Sequence, residues 1–243
     1  MIGRDGIEKL KNRRVAVFGI GGVGGHCAEA LCRAGIGSID LFDGDVVDIT
    51  NINRQIIATH KTVGRDKAAV MRERLLEINP EANIAARKLF YLPETADEVD
   101  LTPYDYIVDA VDTITAKLEL ICRATELGVP VISSMGAANK LDPAAFQVAD
   151  IYETSVCPMA RIMRNGLRKR GISALKVVYS KEPPATPVAL SATPPPPDAP
   201  LSANCSRFPV SPRKTPASNP FVPPVAGLIL AAEVVKDILG INS

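Results

Sequence analysis

The sequence predicts an α/β protein, a mostly parallel sheet with helices on both faces, and three observations carry that prediction. Short apolar runs alternate with longer amphipathic segments. A glycine-rich turn closes the first run and opens the first amphipathic segment. The length, 243 residues, suits one sizeable core, and 47% apolar with 23% charged residues is an ordinary globular composition that excludes wholesale disorder, collagen and a coiled-coil rod.

Taken in order, Arg14 to Ile20 (RVAVFGI) is a strand ending in glycine, Val23 to Ala34 a helix and Ser38 to Asp43 a second strand, which together make a βαβ unit. Gly64 to Ile78 places Ala68, Val70, Met71, Leu75 and Ile78 between charges, with Pro80 just beyond, and reads as a helix. Asn83 to Phe90 and Tyr104 to Ala110 read as strands, Ile114 to Leu127 as a helix stopped by Gly128, and Val129 to Met135 as a buried strand. This rhythm implies right-handed crossovers and a parallel sheet.

After Asp150 the character changes. Pro158 to Arg170 is a basic helix with proline at its first position, and Ala174 to Ser180 is a strand. Of the 20 prolines, 14 fall in residues 183–224, which predicts an extended, mobile surface segment. Val225 to Leu239 is an apolar helix broken by Glu233, Lys236 and Asp237, expected to pack on the core or at a dimer interface. The organisation is thus 1–150 as an α/β core and 151–243 as basic helix, proline-rich segment and packing helix, in the same domain or as a small appendage.

Several classes are excluded by what is sparse. Five dispersed cysteines without a Cys-x-x-Cys pair, and two histidines, argue against a disulfide scaffold and a structural zinc site. No leader pattern opens the chain and no uninterrupted 18-residue apolar stretch occurs, so a cytoplasmic protein with no integral membrane segment is expected. Peripheral membrane association through the last helix is the alternative. The net charge of +1 hides an acidic residues 1–155, with 17 Lys and Arg against 23 Asp and Glu, and a basic residues 156–243, with 11 against 4. Such a basic section suits a polyanionic partner.

The turn Gly19-Ile20-Gly21-Gly22-Val23-Gly24-Gly25 fits G-x-G-x-x-G between a strand and a helix, where backbone N–H groups and the helix dipole favour an anion. This is a Rossmann-like arrangement. Asp43 closes the next strand, where it is placed to accept a ribose hydroxyl, and by itself this much would suit a dinucleotide. The loop that follows, with Asn51, Arg54 and Gln55, and then Lys67 on the first turn of the next helix, brings two cations towards the phosphates. Two cations suit a triphosphate under attack better than a pyrophosphate. Asp109 and Asp112, in VDAVDT at the end of a strand, suit a Mg²⁺ carboxylate.

Over about residues 5–150 this order (GIGGVGG, D-x-D, N-x-N-R-Q, K, D-x-x-D) resembles the ubiquitin-activating-type superfamily that includes ThiF, MoeB and HesA, whose members adenylate carboxylates with ATP. The resemblance implies Gly19, Gly21, Gly22 and Gly24 at the phosphates, Asp43 at the ribose, and Asn51, Arg54, Gln55 and Lys67 around the triphosphate. It makes Asp112 the Mg²⁺ ligand, with Arg54, Lys67 and Asp112 catalytic. TNINRQ, GAANKLDP (136–143), TSVCP (154–158) with the helix ending LRKRG, and FVPPVAG (221–227) look like its tRNA threonylcarbamoyladenosine dehydratase branch (TcdA, CsdL or YgdL). That branch uses ATP to activate the threonylcarbamoyl carboxylate on adenosine 37 of tRNA, and the side chain then cyclises with loss of water. The resemblance further implies a homodimer, Mg²⁺ and a monovalent cation (K⁺ or Na⁺), and a sulfur-transfer partner protein is a further candidate.

Arg161, Arg164 and Arg168 fall on one helical face with Lys169 and Arg170 beside them, and are the candidate RNA-phosphate contacts. A solvated helix is the plainer alternative. Cys157, before a helix N-terminus, and Cys205, in the proline-rich segment, are alternative nucleophiles, whereas Cys27, Cys32 and Cys122 are expected to be packing residues. Two departures from the family stand out. Relatives carry further N-terminal residues with an arginine reaching the partner subunit's ATP, for which Arg4, Arg13 or Arg14 are the candidate substitutes, and the paired Cys-x-x-Cys site of ThiF and MoeB is absent. Rival readings are an adenylyltransferase for a ubiquitin-like sulfur carrier, an NAD(P) oxidoreductase and a non-catalytic nucleotide-binding partner.

Overall fold

The computed structural model describes residues 2–186 and 217–241. Among them run α1 (Gly3–Lys11), β1 (Arg14–Phe18), α2 (Gly24–Ala34), β2 (Ser38–Phe42), α3 (Lys67–Ile78), β3 (Asn83–Arg87), β4 (Tyr106–Asp109), α4 (Ile114–Glu126), β5 (Val131–Ser134), β6 (Phe146–Asp150), α5 (Pro158–Arg168), β7 (Lys176–Ser180) and α6 (Val222–Leu239). The strands form one sheet in the order β3-β2-β1-β4-β5-β7-β6, every pairing parallel except that of β6 with β7. The expected sheet and helices are therefore present, with most ends trimmed by a few residues.

The central strands β1, β4 and β5 are almost wholly buried because both faces are covered. Along β1, Val15 and Val17 join the core beneath α2, α3 and α6, while Ala16 and Phe18 join a second core with Tyr104, Leu120 and Ala124. This is the two-residue alternation of a strand read from both sides. A third cluster, Ile121, Ile151, Met163, Leu167 and Tyr179, seats α5 against α4 and β7. Each fully buried Leu, Val or Phe contributes about 1.5–3 kcal/mol. Phe18 and Phe42 stack with ring centroids 4.3 Å apart, tying β1 to β2.

Two elements go beyond the sequence reading. The opening residues, for which the sequence predicts no element, form α1, anchored by the fully buried Leu10. β6 falls where no strand is predicted; it is an edge strand with exposed Gln147 and Val148, so burial imposes little pattern on it. β7 lies between β5 and β6, so residues 151–243 contribute an internal strand to the same sheet. α6 lies against α2 so closely that a Cβ at Gly227 would sit 2.3 Å from the Val23 carbonyl oxygen. Most of the proline-rich segment, with Cys205, lies outside the described residues.

Connections from β1 run outward to β2 and β3, and those from β4 the other way, so the crevice between β1 and β4 is the switch point where open α/β sheets bind ligands.

Candidate functional site

A cavity of about 630 Å³ opens at that switch point. Its floor is the turn after β1. Gly19 holds φ 87°, and a side chain there would bring a Cβ within 2.7 Å of the Ala110 carbonyl oxygen. At Gly21 the opposite holds: the nearest atom to a Cβ would be Gln55 Nε2, 3.8 Å away, so the space over Gly21 is an open cradle. Gly24, expected among the phosphate contacts, does not line the cavity. A Cβ there would fall 1.8 Å from the Gly19 carbonyl oxygen, so this glycine closes α2 onto β1.

Asp43, at the end of β2, lines the cavity with one carboxylate oxygen accepting from Ile20 N–H at 2.6 Å and the other from Asp45 N–H at 2.8 Å. Burial pushes its pKa up, against the pull of Lys67 and those two donors. Asp48 caps the single turn Ile49–Asn51 and its N–H donates back to Asn51 Oδ1 at 3.1 Å, which holds Asn51 buried at the cavity wall. Arg54 Nη1 donates to Thr50 O and Asn53 Oδ1, both at 2.9 Å. Gln55 Oε1 is buried without a hydrogen-bond partner among the described residues. Lys67 opens α3, is 6% exposed, and its ammonium pairs with Asp45 at 2.8 Å.

The opposite wall follows β4. Ala110, Val111, Asp112 and Thr113 line the cavity, and Asp112 is exposed there, with Thr113 Oγ1 donating to it at 3.3 Å. Asp109, the other aspartate of the motif, is fully buried and ion-paired to Lys117 Nζ at 2.9 Å, so it faces away from any ligand. Thus Gly19, Gly21, Gly22, Asp43, Asn51, Arg54, Gln55, Lys67 and Asp112 share one cavity, and Gly24 stands behind it.

The sequence reading missed the rest of the lining. Leu89, Phe90, Tyr91 and Leu92 make an apolar wall, with the Phe90 ring packed on Gly44, where a Cβ would come within 2.4 Å of it. Tyr91 hydroxyl is buried without a hydrogen-bond partner among the described residues, and burial raises its pKa to about 12. Met159 of α5, with Ser218 and Pro223 before and in α6, closes the other side. Chain proximity gives no signal for these, since sheet topology alone brings residues 159 and 218 to residue 21.

An open cradle at the N-terminus of α2, with the Gln55 Nε2 donor facing it and two cations beside it, fits a nucleotide's phosphates, and the exposed Asp112 carboxylate fits a hard divalent cation. The apolar wall fits a base.

The basic residues separate. Arg161, Arg168 and Lys169 are exposed, and the Arg168 guanidinium lies 5.4 Å from the Tyr152 ring centroid. Arg164 is instead bound to Thr154, donating to its carbonyl oxygen at 2.7 Å and to its hydroxyl. Arg170 lines a different hollow with Cys122, Glu119 and Arg123. Cys157, 2% exposed, does not line the cavity; its Sγ lies 4.0 Å from a Cβ position at Gly136, which does. Arg13 pairs with Asp105 and Arg14 with Asp40, at the end of the sheet away from the cavity, whereas Arg4 is exposed on α1.

Comparison with known proteins places this geometry. A Bacillus subtilis tRNA threonylcarbamoyladenosine dehydratase is 45% identical over 240 residues, 98% of this chain and 91% of that one. The crystal structure of Escherichia coli tRNA N6-threonylcarbamoyladenosine dehydratase in complex with ATP matches with a TM-score of 0.81 and 29% identity, covering 98% of this chain and 90% of that one. A Thermus thermophilus sulfur carrier protein adenylyltransferase is 29% identical over 99% of this chain and 74% of its own length. The ThiF family model matches residues 1–243, and the chain belongs to the ThiF family.

Proposed function

We propose that this chain is an ATP-dependent tRNA threonylcarbamoyladenosine dehydratase. The observation that carries the reading is the open cradle over Gly21, faced by Gln55 Nε2 and ringed by Arg54, Lys67 and Asp112, in a chain 45% identical to a dehydratase. The ATP held by the similar E. coli structure favours a triphosphate over a dinucleotide.

In this reading the substrate carboxylate attacks the α-phosphate of ATP, pyrophosphate leaves, and the resulting acyl-adenylate is closed by attack from within the modified nucleoside, releasing AMP. The carboxylate oxygen that leaves with AMP accounts for the lost water. Gly19, Gly21 and Gly22 bring backbone against the phosphates, Asp43 accepts from the ribose, and Asn51 and Gln55 orient the triphosphate. Lys67 and Arg54 carry positive charge to where negative charge grows, and because Lys67 is already buried and paired, little reorganisation remains at the reaction. Mg²⁺ held by Asp112 would neutralise the departing pyrophosphate.

Exposed Arg161, Arg168 and Lys169 support tRNA contact along α5, whose first turn reaches the cavity at Met159. Residues 1–150 and 151–243 act as one domain, a reading supported by the place of β7 within the sheet. The homodimer and the monovalent cation rest on the family resemblance, and a sulfur-transfer partner is a further candidate. For location, the support is that among the described residues no helix is long and apolar enough to cross a membrane.

The test is incubation with ATP, Mg²⁺ and tRNA bearing threonylcarbamoyladenosine, read by mass spectrometry of the nucleoside. Loss of one water supports the reading, whereas an unchanged nucleoside alongside ATP-dependent adenylation of a carrier protein would transfer the chain to the sulfur-carrier class. Asp112→Ala should slow the reaction by on the order of a hundredfold or more.

A further inference from the structure

We propose that Asp109, Lys117 and Ser133 form a buried positioning unit that sets the direction of Asp112 through the backbone of the turn between them. The inference rests on the reading of Asp112 as the metal carboxylate.

Lys117 of α4, Asp109 at the end of β4 and Ser133 of β5 are all completely buried. Asp109 Oδ2 accepts from Lys117 Nζ at 2.9 Å and from Ser133 Oγ at 2.6 Å, and Lys117 Nζ also donates to Ser133 Oγ at 3.2 Å. Asp109 and Ser133 are register partners on neighbouring strands. Stability is a weak reason for such a group, because a buried ion pair is often no better than apolar side chains of the same volume.

Its place in the fold gives a stronger one. The second oxygen, Oδ1, accepts from Val111 N–H at 3.3 Å, inside the turn that lines the cavity. The Ala110–Val111 peptide is confined on its other side by Gly19, where a Cβ would fall 2.7 Å from the Ala110 carbonyl oxygen and 2.9 Å from Val111 N. Ala110 N–H is tied to the Phe18 carbonyl oxygen at 2.8 Å. The Asp109 bond is a further tie on this same peptide, one residue ahead of Asp112. Asp112 comes next. Among the described residues its carboxylate accepts one hydrogen bond, from its neighbour Thr113, so its direction is inherited from this backbone.

Single changes would leave a buried charge unpaired and risk unfolding, so two charge-free replacements are compared. Asp109→Asn with Lys117→Met keeps an oxygen for Val111 N–H. Asp109→Leu with Lys117→Met and Ser133→Ala removes it and leaves an apolar interior. Each is loaded with a non-hydrolysable ATP analogue and titrated with Mg²⁺ by calorimetry, after the affinity of the analogue has been measured in EDTA. Asp112→Ala is the control. The expected result for the leucine triple variant is a rise of about 10- to 100-fold in the Mg²⁺ needed for half-saturation. Its metal-free analogue affinity should stay unchanged, and the asparagine variant should lie close to the parent protein.

If Asp112→Ala shifts the Mg²⁺ requirement and the triple variant does not, the positioning unit is wrong while the reading of Asp112 stands. If the triple variant weakens metal-free binding as much as metal binding, the unit supports the fold of the whole cavity and the proposal is overturned. If Asp112→Ala itself changes nothing, the metal reading fails and the inference falls with it.

Discussion

Gly21→Ala separates a cradle for phosphate from an ordinary tight turn. Gly21 does not hold a positive φ, and a Cβ there would touch nothing closer than Gln55 Nε2 at 3.8 Å, so the folded chain accommodates alanine without strain. Replacing glycine under those conditions removes freedom from the unfolded chain and should stabilise by about 0.4–1 kcal/mol. The methyl group then occupies the space over which the phosphates must lie. Forcing an extra methyl into a packed contact costs about 1–3 kcal/mol, which corresponds to roughly a 5- to 150-fold loss of ATP affinity. Thermal unfolding without nucleotide and calorimetric titration with ATP measure the two effects on one preparation. Gly24→Ala is the contrast, since its Cβ would lie 1.8 Å from a backbone oxygen and the Tm should fall. A Gly21→Ala protein that binds ATP as tightly as the parent would show that the phosphates lie elsewhere.

Charge and thiol changes give further outcomes. Burial raises the pKa of Glu29, but Arg74 and Arg33 together outweigh it and hold the carboxyl below the ordinary glutamate value. A depressed folded pKa stabilises above the unfolded value of about 4.3 and is lost as pH falls through the folded one. Glu29→Gln should therefore cost about 1 kcal/mol or less at pH 7, both arginines being partly exposed, and should flatten the decline of Tm with acid. Cys157→Ala should keep dehydratase turnover, and alkylation of the native chain should reach Cys122 before the buried Cys157; a dead Cys157→Ala enzyme that still folds would restore the thiol mechanism. Arg161→Glu and Arg168→Glu should weaken tRNA binding, lower its salt dependence and spare ATP affinity. Arg164→Glu should instead lower Tm, because it loses the bonds to Thr154. Equal tRNA defects without a stability change at all three positions would return Arg164 to the RNA face.

The parallel core was legible because burial on both faces forces continuous apolar runs, and the glycine turn after β1 because Gly19 and Gly24 answer to backbone geometry that few other residues tolerate. Asp43, Arg54 and Lys67 were legible by order along the chain. What stayed hidden depends on topology. Phe90 was assigned to the end of a strand, yet β3 stops at Arg87 and the ring turns onto Gly44. In VDAVDT both aspartates looked alike, and a lysine eight residues on, arriving from the first turns of α4, makes one of them a buried anchor and leaves the other at the cavity. Helical spacing put Arg161, Arg164 and Arg168 on one face, but could not show that Thr154 bonds the middle one.

The last section of the chain also reaches the chemistry. A Cβ at Gly22 would lie 3.1 Å from Pro223 Cβ, a tight contact with α6, and Gly227 must be small because α6 rests on Val23 and His26 at the start of α2. Asn53, next to Arg54, donates to the Ser218 carbonyl oxygen at 2.9 Å, while Asn139 holds both Ala185 and Ala217 at 2.7 Å. The phosphate turn and the Asn51–Gln55 loop are therefore both braced by residues that enter the structure after position 216. A chain cut before Ala217 would retain the glycine motif and lose the surface that α2 packs against, so a complete motif would accompany a poorly formed nucleotide site.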